Sequence, residues 1–431
     1  MDTIFALASA PGRAGVAVLR ISGPSAHAAA QTLAGPLPVH GRRLCRLRDP
    51  AGGLIDEALC LTFAPGRSFT AEATAELHCH GSGAVITMLQ QVLGAIPGLR
   101  PAEPGEFTRR AMENGRLDLA QVEGLADLIE AETEAQRRQA LRVFSGALGD
   151  KAAAWRERLV QAAALIAAGI DFADEDIDTD TGALVADLLA AVITDLDHEA
   201  AGVHAAERIR DGFEVAILGA PNTGKSTLLN ALAGREAAIT ADLPGTTRDI
   251  IEVRMDLAGL PVTLLDTAGL RDTDDPVERI GVDRARSRAA RADLRIWLLG
   301  PGDRVADDPP EGHVGGDIVL RGRADINPGA GPGISGLTGD GIPELIAAVT
   351  DRLGHKAASA GVALRERHRL AMQKAAAHLE QALADLPMIA TRPEILAEEV
   401  NLAIRAIDSI VGRVDVEDIL GEIFARFCIG K

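Results

Sequence analysis

Gly219-Ala220-Pro221-Asn222-Thr223-Gly224-Lys225-Ser226 fits the pattern G-x-x-x-x-G-K-[ST] and stands between an apolar run, FEVAILG (213–219), and a helical pattern, TLLNALAG (227–234). Strand, loop and helix in that order are the context the pattern requires. The glycines let the backbone curl until its N–H groups face phosphate oxygens, and the start of the helix adds partial positive charge. Lys225 reaches the β and γ phosphates, Ser226 supplies a Mg2+ ligand, and Asn222, Thr223, Gly224 and Thr227 complete the cradle. The chain has only five lysines against 39 arginines, so a lysine here is a further sign that an ammonium is needed. The alternative is a glycine-rich turn that merely caps a helix.

Outward from this loop, Asp266-Thr267-Ala268-Gly269 closes the strand-like run PVTLLD (261–266). A carboxylate there serves the Mg2+ shell, and a glycine N–H senses the third phosphate. Between the two lies Ala241-Asp242-Leu243-Pro244-Gly245-Thr246-Thr247, followed by Arg248-Asp249, where a threonine hydroxyl completes the Mg2+ shell only when the third phosphate is present. That is how a switch is built. In this order the set reads as a GTPase of the P-loop class. Two departures stand out. In place of the base-reading N-K-x-D the chain has Gly322-Arg323-Ala324-Asp325. Asp325 still accepts from the guanine N1 and N2 donors, Arg323 replaces the lysine stem, and Ser335-Gly336-Leu337 is the segment that backs the base, so guanine preference with weaker affinity is expected. Leu270, which follows DTAG, cannot orient a water as the glutamine of Ras-like enzymes does. Glu278, in Asp275-Pro276-Val277-Glu278, is a candidate for that work through water, and a capping box is its alternative. Asn222 is a candidate ligand for a monovalent cation standing where an arginine finger otherwise neutralises charge.

At 431 residues the chain has length for two to four domains at about 150 residues each. Its formal charge is −18, unlike the basic balance of a protein that grips nucleic acid through phosphates. Aromatics are 3% with no Tyr, which argues against a platform stacking unpaired bases. Cys45, Cys60, Cys79 and Cys428 are unevenly spaced without a C-x-x-C, fitting reduced cytoplasmic thiols. The start, MDTIFALASAPGR, lacks the basic region of a signal peptide, and no apolar run reaches about 18 residues, so no membrane span is expected.

Residues 1–116 read as an α+β unit, with strand-like runs TIFALAS, GVAVLRIS, LIDEALCLTF and TAELHCH and a short helix at Ala84–Leu93. Residues 117–211 turn to Ala, Leu, Glu and Arg at helical spacing, predicting long packed helices. Strand-like runs return at 213–219, 250–257, 261–266, 293–300 and 317–320 between helical patterns, implying a mostly parallel sheet over 212–354 whose last helix ends near Gly354. Residues 355–431 are helical again. The fold class expected is multidomain α/β: an N-terminal α+β domain, a discontinuous all-α domain, and a P-loop (Ras-like) G domain inserted between its halves.

GAPNTGKSTLLNALAGREAAIT, GTTRD, DTAGLR and VERIG, with PGEFTRRAMENGRLDLAQVE and the terminal Cys428-Ile429-Gly430-Lys431, together resemble the MnmE (TrmE) family of tRNA uridine-modification GTPases over essentially the whole chain. The resemblance implies an N-terminal folate-binding, dimerising domain and K+-stimulated GTP hydrolysis when two G domains meet. It implies Asn222, Thr246 and the backbone of Ala241 and Leu243 as the K+ shell, Ser226 and Thr247 as Mg2+ ligands, and Glu278 orienting the attacking water through a second one. One threonine of the expected K+ loop falls on Ala241, with Thr240 beside it. For 5,10-methylene- or 5-formyl-tetrahydrofolate the pattern falls on Arg20, Glu76, Arg116 and Lys431. Glu76, His78 and His80 alternate on one strand and so share a face; a metal is one reading of them, and the Glu76 carboxylate as partner for the donor edge of a pterin is the other. Cys428 reads as a buried apolar thiol from its surroundings and as a catalytic or redox-adjacent group from the resemblance. The partners implied are a second copy of the chain, an FAD-containing subunit, MnmG, in a heterotetramer, and tRNA, whose wobble uridine receives a 5-(carboxymethyl)aminomethyl-type group. Two rivals from other classes are a GTP switch for ribosomal RNA assembly and a folate-dependent transferase with a vestigial nucleotide domain.

Overall fold

A computed structural model of the chain describes residues 2–171, 181–234, 252–266, 287–300, 313–329, 331–389 and 391–414, with Phe424, Phe427 and Gly430. The chain divides into two compact units, Met1–Ala126 with Asp408–Lys431, and Asp127–Ile407.

In the first unit, β1 (Thr3–Leu7), β2 (Ala14–Ser22), β3 (Gly41–Arg48), β4 (Leu54–Phe63), β5 (Thr74–Gly81) and β6 (Leu99–Pro101) form one sheet in the order β3-β4-β5-β2-β1-β6, antiparallel except between β1 and β6. Alternation along the strands sorts the side chains. Ala17, Leu19 and Ile21 of β2 and Ala75, Leu77 and Cys79 of β5 face a core closed by α1 (Ala26–Ala34) and α2 (Gly83–Gly94) through Leu33, Leu89 and Leu93. Residues between them, among them Arg20, Glu76 and His78, point to the opposite face. On that face Ile4 and Ala6 of β1 are covered by Ala102 and by Phe107 of α3 (Glu106–Glu113). β3, GRRLCRLR, buries only Cys45 and Leu47; its arginines keep a sheet edge solvated. Cys45, Cys60 and Cys79 are buried free thiols. Burial pushes Cys79 up, and burial together with the neighbouring Cys45 pushes Cys60 up to about 12, so the Cys60 and Cys79 sulfurs stay protonated and act as packing groups.

The capping box of α4 (Leu119–Glu130) is made by Asp118 and Gln121, with the Gln121 N–H donating to Asp118 Oδ1 at 2.7 Å and the Asp118 N–H to Gln121 Oε1 at 3.0 Å. In the second unit, Thr133 and Gln136 form another capping box, which starts α5 (Glu134–Phe144). α6 (Ala147–Asp171) and α7 (Thr181–Asp211) follow. Leu148, Ala152, Trp155, Leu159, Ala162 and Ile166 make the buried stripe of α6, and Val185, Leu189, Val192, Leu196 and Val203 that of α7, each at the three-to-four spacing of a helix packed on one side.

The second sheet comprises β7 (Phe213–Gly219), β8 (Glu252–Leu257), β9 (Leu260–Asp266), β10 (Leu294–Leu299), β11 (Ile318–Gly322) and β12 (Gly333–Ile334), in the order β12-β11-β10-β7-β9-β8, with only β8 antiparallel to its neighbour. Leu228, Leu229 and Leu232 of α8 (Lys225–Ala233) and Leu345, Val349 and Leu353 of α9 (Ile342–Ala357) pack on it. α9 runs through Gly354, where the sequence pattern had its end, because buried Leu353 holds that turn and Lys356 Nζ donates to the Asp293 carbonyl at 2.5 Å. β7 is central: the chain builds β9 on one side of it and then β10 on the other, so the strand order reverses at the C-terminal end of β7. Ligands of open α/β sheets bind in the crevice at such a reversal.

The helices brace this sheet from below. The Ala135 N–H donates to the Gly259 carbonyl at 3.0 Å, Arg208 Nε meets Asp293 Oδ1 at 3.1 Å, and the Glu214 N–H donates to Asp293 Oδ2 at 2.8 Å. Glu199, buried in α7, accepts from the N–H groups of Val362 and Ala363 and pairs with Lys151 Nζ at 2.7 Å, which clamps the segment leading from α9 to α10 (Glu366–Asp385) and on to α11 (Pro393–Ile410).

Candidate functional site

The loop after β7 is held in the shape its sequence demands. Gly219 has φ +146°, and a Cβ built on it would lie 2.3 Å from the Leu298 carbonyl oxygen, a place only glycine occupies without displacing β10. Asn222 adopts φ +64°, tolerated by its short polar side chain, and Gly224 takes φ +98° at the N-cap of α8. Thr223, buried, bonds its hydroxyl to the Ala220 carbonyl at 2.9 Å. Lys225 is buried at the first turn with Nζ 2.8 Å from both the Gly219 and Ala220 carbonyls, so its ammonium spans the loop from inside. Ser226 and Thr227 are exposed at the start of α8, and the ladder of that helix begins only where the Leu228 N–H meets the Gly224 carbonyl. A curled backbone, a helix start and an enclosed ammonium at one point fit a polyphosphate with a hydroxyl-bound cation beside it.

Sheet register brings the other parts to the same end. Asp266 is opposite Ile217, two residues before the loop, Leu298 is opposite Gly219, and Leu299 is opposite Arg321 at the end of β11. Arg323 and Asp325 stand exposed in the turn after β11, Arg323 at φ +52°. Ser335 is buried, and its hydroxyl accepts from the N–H groups of Leu337 at 3.3 Å and Thr338 at 3.2 Å, shaping the turn that follows β12. Asn327, which the motif reading passed over, is buried beside this turn; its sequence position matches no pattern. Ala241, Asp242, Leu243, Pro244, Gly245, Thr246, Thr247, Thr267, Ala268, Gly269 and Glu278 lie outside the described residues.

A second constellation sits on the open face of the first sheet. Cross-strand register sets Arg20 against Glu76, and Arg20 Nε donates to Glu76 Oε1 at 2.9 Å. His78 Nε2 lies 3.1 Å from the other Glu76 oxygen. The Arg20 guanidinium is 5.5 Å from the ring centres of both Phe69 and Phe107, so two aromatics fix the cation that orients the carboxylate. Neither phenylalanine was read from the sequence, although Phe107 sits inside PGEFTRRA. Of Glu76, His78 and His80, only the first two are joined to one another. His80 bonds Asp56 of β4, through Nδ1 at 2.8 Å and its backbone N–H at 2.7 Å, and no group of three or more metal-ligating side chains occurs among the described residues. A largely buried carboxylate held by Arg20 and His78 suits the donor edge of a pterin. Arg116 is exposed just beyond α3 and makes no hydrogen bond to Glu76 among the described residues. Cys428 and Lys431 lie outside the described residues.

Gly430 and Phe424 are described, and both are seated on this unit. Gly430 takes φ +101°, and a Cβ there would lie 2.0 Å from the Leu7 carbonyl oxygen at the end of β1. Gly105 takes φ +68°, a Cβ there would lie 2.9 Å from Phe424 Cδ1, and the Arg109 guanidinium is 5.1 Å from the same ring. Gly105 of PGEFTRRA thus lies against Phe424, and Gly430 against the end of β1.

Comparison with known proteins agrees over the full length. Residues 3–116 match the family model of the GTP-binding protein TrmE N-terminus and residues 119–428 that of the MnmE helical domain. The chain is 58% identical over 431 residues to the tRNA modification GTPase MnmE of Cereibacter sphaeroides and 54% identical over 432 residues to that of Roseobacter denitrificans, covering 100% of each and of itself. With its phosphate loop at the reversal of a G-type sheet and its N-terminal and helical segments both matched, the chain belongs to the MnmE (TrmE) family of tRNA modification GTPases.

Proposed function

We propose that this GTP hydrolase works in the cytoplasm as a homodimer with an FAD-containing MnmG subunit, using a tetrahydrofolate one-carbon unit to build a 5-(carboxymethyl)aminomethyl-type group on the wobble uridine of tRNA. The observation that carries the reading is the pairing, in one chain, of the Lys225 phosphate loop with the Arg20–Glu76 constellation on a separate unit. The proposed division is a folate-binding and dimerising domain at 1–116, a helical domain at 117–211 and 355–431, and a G domain at 212–354. Among the described residues no helix is long and apolar enough to cross a membrane. The net charge of −18 suits a chain that leaves most of the tRNA contact to its partner.

In this reading Lys225 and the N–H groups at the start of α8 meet the charge that grows on the phosphate oxygens. Ser226 and Thr247 would hold Mg2+, and Asn222 with Ala241, Leu243 and Thr246 would hold K+; bound there, the cations neutralise charge on the transferring phosphoryl group. Glu278 orients water, and Asp325, Arg323 and Ser335 receive the guanine. Glu76, steadied by Arg20, takes the pterin donor edge, Arg116 and Lys431 are the further folate-binding residues, and Cys428 is a redox or catalytic thiol. Hydrolysis opens and closes the G domains and leaves the carbon transfer to the folate unit.

The deciding experiment compares tRNA nucleosides by mass spectrometry from cells with and without this protein. Loss of the 5-substituted wobble uridine is expected; an unchanged profile moves the chain to the ribosomal RNA switch. GTP turnover is expected to be faster in K+ than in Na+ at equal ionic strength, and equal rates remove Asn222 from the mechanism. Glu278→Ala should keep GTP affinity and lower turnover, whereas loss of a mere helix cap costs about 1 kcal/mol of stability and little rate.

A further inference from the structure

The turn after β11 and the turn at Ser335 are pressed against the phosphate loop and the start of α8 at three points. Gly322 stands where the N-K-x-D pattern has its asparagine, and a Cβ built on it would lie 2.1 Å from the Thr223 carbonyl oxygen. A Cβ on Gly336 would lie 2.6 Å from the Thr227 carbonyl carbon and oxygen and 2.7 Å from the Leu228 nitrogen. The Arg323 stem passes Gly224, its Cγ 3.1 Å from the Cβ position there. Backbone lies on backbone where the usual motif interposes side chains, so glycine at 322 is a fitted residue and no mere loss.

An amide is nonetheless present. Asn327 is 8% exposed and donates its Nδ2 to the Gly322 carbonyl at 3.3 Å, while its N–H donates to the Arg323 carbonyl at 2.9 Å. The Ala324 N–H donates to the Ile334 carbonyl at 3.0 Å, tying the turn to the segment that leads into Ser335. Asp325 is thereby carried, exposed, on a turn fixed from below at Gly322 and Arg323 and from the side at Ala324. An amide buried and spent on the turn has one effect, which is to set where the Asp325 carboxylate stands.

We propose that this chain discriminates guanine through Asp325 on a turn positioned by Asn327, with Gly322 and Gly336 in the places where side chains of the usual motif would stand. The inference deepens the GTPase reading and rests on residues 322–325 receiving the base. Asn327 is a positioning residue, and the consequence runs against motif logic: restoring asparagine at 322 harms binding.

The test measures Kd for GDP, IDP and XDP on the full-length protein, with GTP turnover alongside. Inosine lacks the 2-amino group that Asp325 accepts from, so Asn327→Ala should raise the GDP Kd about tenfold and the IDP Kd under about threefold, with kcat at saturating GTP nearly unchanged. Asn327→Leu, similar in size and without a donor, should do the same and serves if the alanine variant does not fold. Gly322→Asn should raise the GDP Kd about tenfold or more. Equal weakening of GDP and IDP together with a fall in kcat, or tighter GDP binding by Gly322→Asn, overturns the proposal. Asp325→Asn separates the layers, since it should move preference from GDP to XDP; failure to do so overturns the placing of the base on 322–325 itself, and the proposal with it.

Discussion

Lys225→Ala is expected to weaken GTP and GDP binding by about 100-fold or more and to abolish hydrolysis, while binding of a tetrahydrofolate to the same protein is retained. Two losses combine. The ammonium that would meet the β and γ oxygens is gone, and charge-assisted bonds of that kind are worth about 1.5–3 kcal/mol each. The brace from Nζ to the Gly219 and Ala220 carbonyls is gone as well, so the loop loses its internal support. Folate binding survives because Arg20 and Glu76 lie in the unit 1–126 with 408–431, whereas the loop lies in 127–407. Fluorescent-nucleotide titration and folate binding on one preparation check both halves. Simultaneous loss of the two ligands contradicts the placement of the sites on separate units.

The phosphate loop was legible because its chemistry is local: two glycines with positive φ, a lysine and a hydroxyl are all demanded by a few adjacent peptide groups. β7, β9 and β10 were legible for a related reason, since buried central strands of a parallel sheet read as unbroken apolar runs. β3 was not, because an edge strand with two buried residues among four arginines has no such run, and β6 has three residues. That Arg20 and Glu76 belong to one site came only from resemblance, and their pairing was not read at all, as cross-strand register is set by turns and bulges far from either residue. His80 shows the converse: alternation placed it correctly with Glu76 and His78, but its partner, Asp56, comes from β4. Gly322 read as a motif lost, and only its distance to the Thr223 carbonyl reveals it as the residue that fits.

Glu106→Ala should destabilise the unit that carries Arg20 and Glu76 by about 3 kcal/mol at neutral pH, leaving the unit 127–407 unaffected. Glu106 is 5% exposed and bonds Arg100 at 2.5 and 2.8 Å, Arg110 at 3.0 Å and the Glu103 N–H at 2.9 Å. Arg110, itself buried, also meets Asp2 at 2.7 Å and Glu72 at 3.3 Å, and Glu72 accepts from the buried Ser22 hydroxyl at 2.7 Å. Truncating one member leaves a buried guanidinium short of a partner, which costs more than the net worth of the pair. The network also fixes Phe107 beneath Arg20, so its loss reaches the Glu76 carboxylate. Burial alone would raise the Glu106 pKa, but Arg100, the Glu103 N–H and Arg110 together hold it below the ordinary carboxylate value; Asp2 is held low chiefly by Arg100. A carboxylate lowered on folding stabilises above its unfolded pKa of about 4.3, and the contribution is lost as pH falls through the lower folded value. The gap between wild type and Glu106→Ala should therefore narrow below about pH 4. Hydrogen exchange read by mass spectrometry over 68–74 and 104–113 should quicken about 100-fold in the variant at neutral pH. Trp155 and Trp297, the only tryptophans, lie in the other unit, and their fluorescence transition in urea should not move. A shift of that transition would mean that the two units unfold as one, and unchanged exchange over 104–113 would mean that Arg110 is satisfied by Asp2 and Glu72 alone.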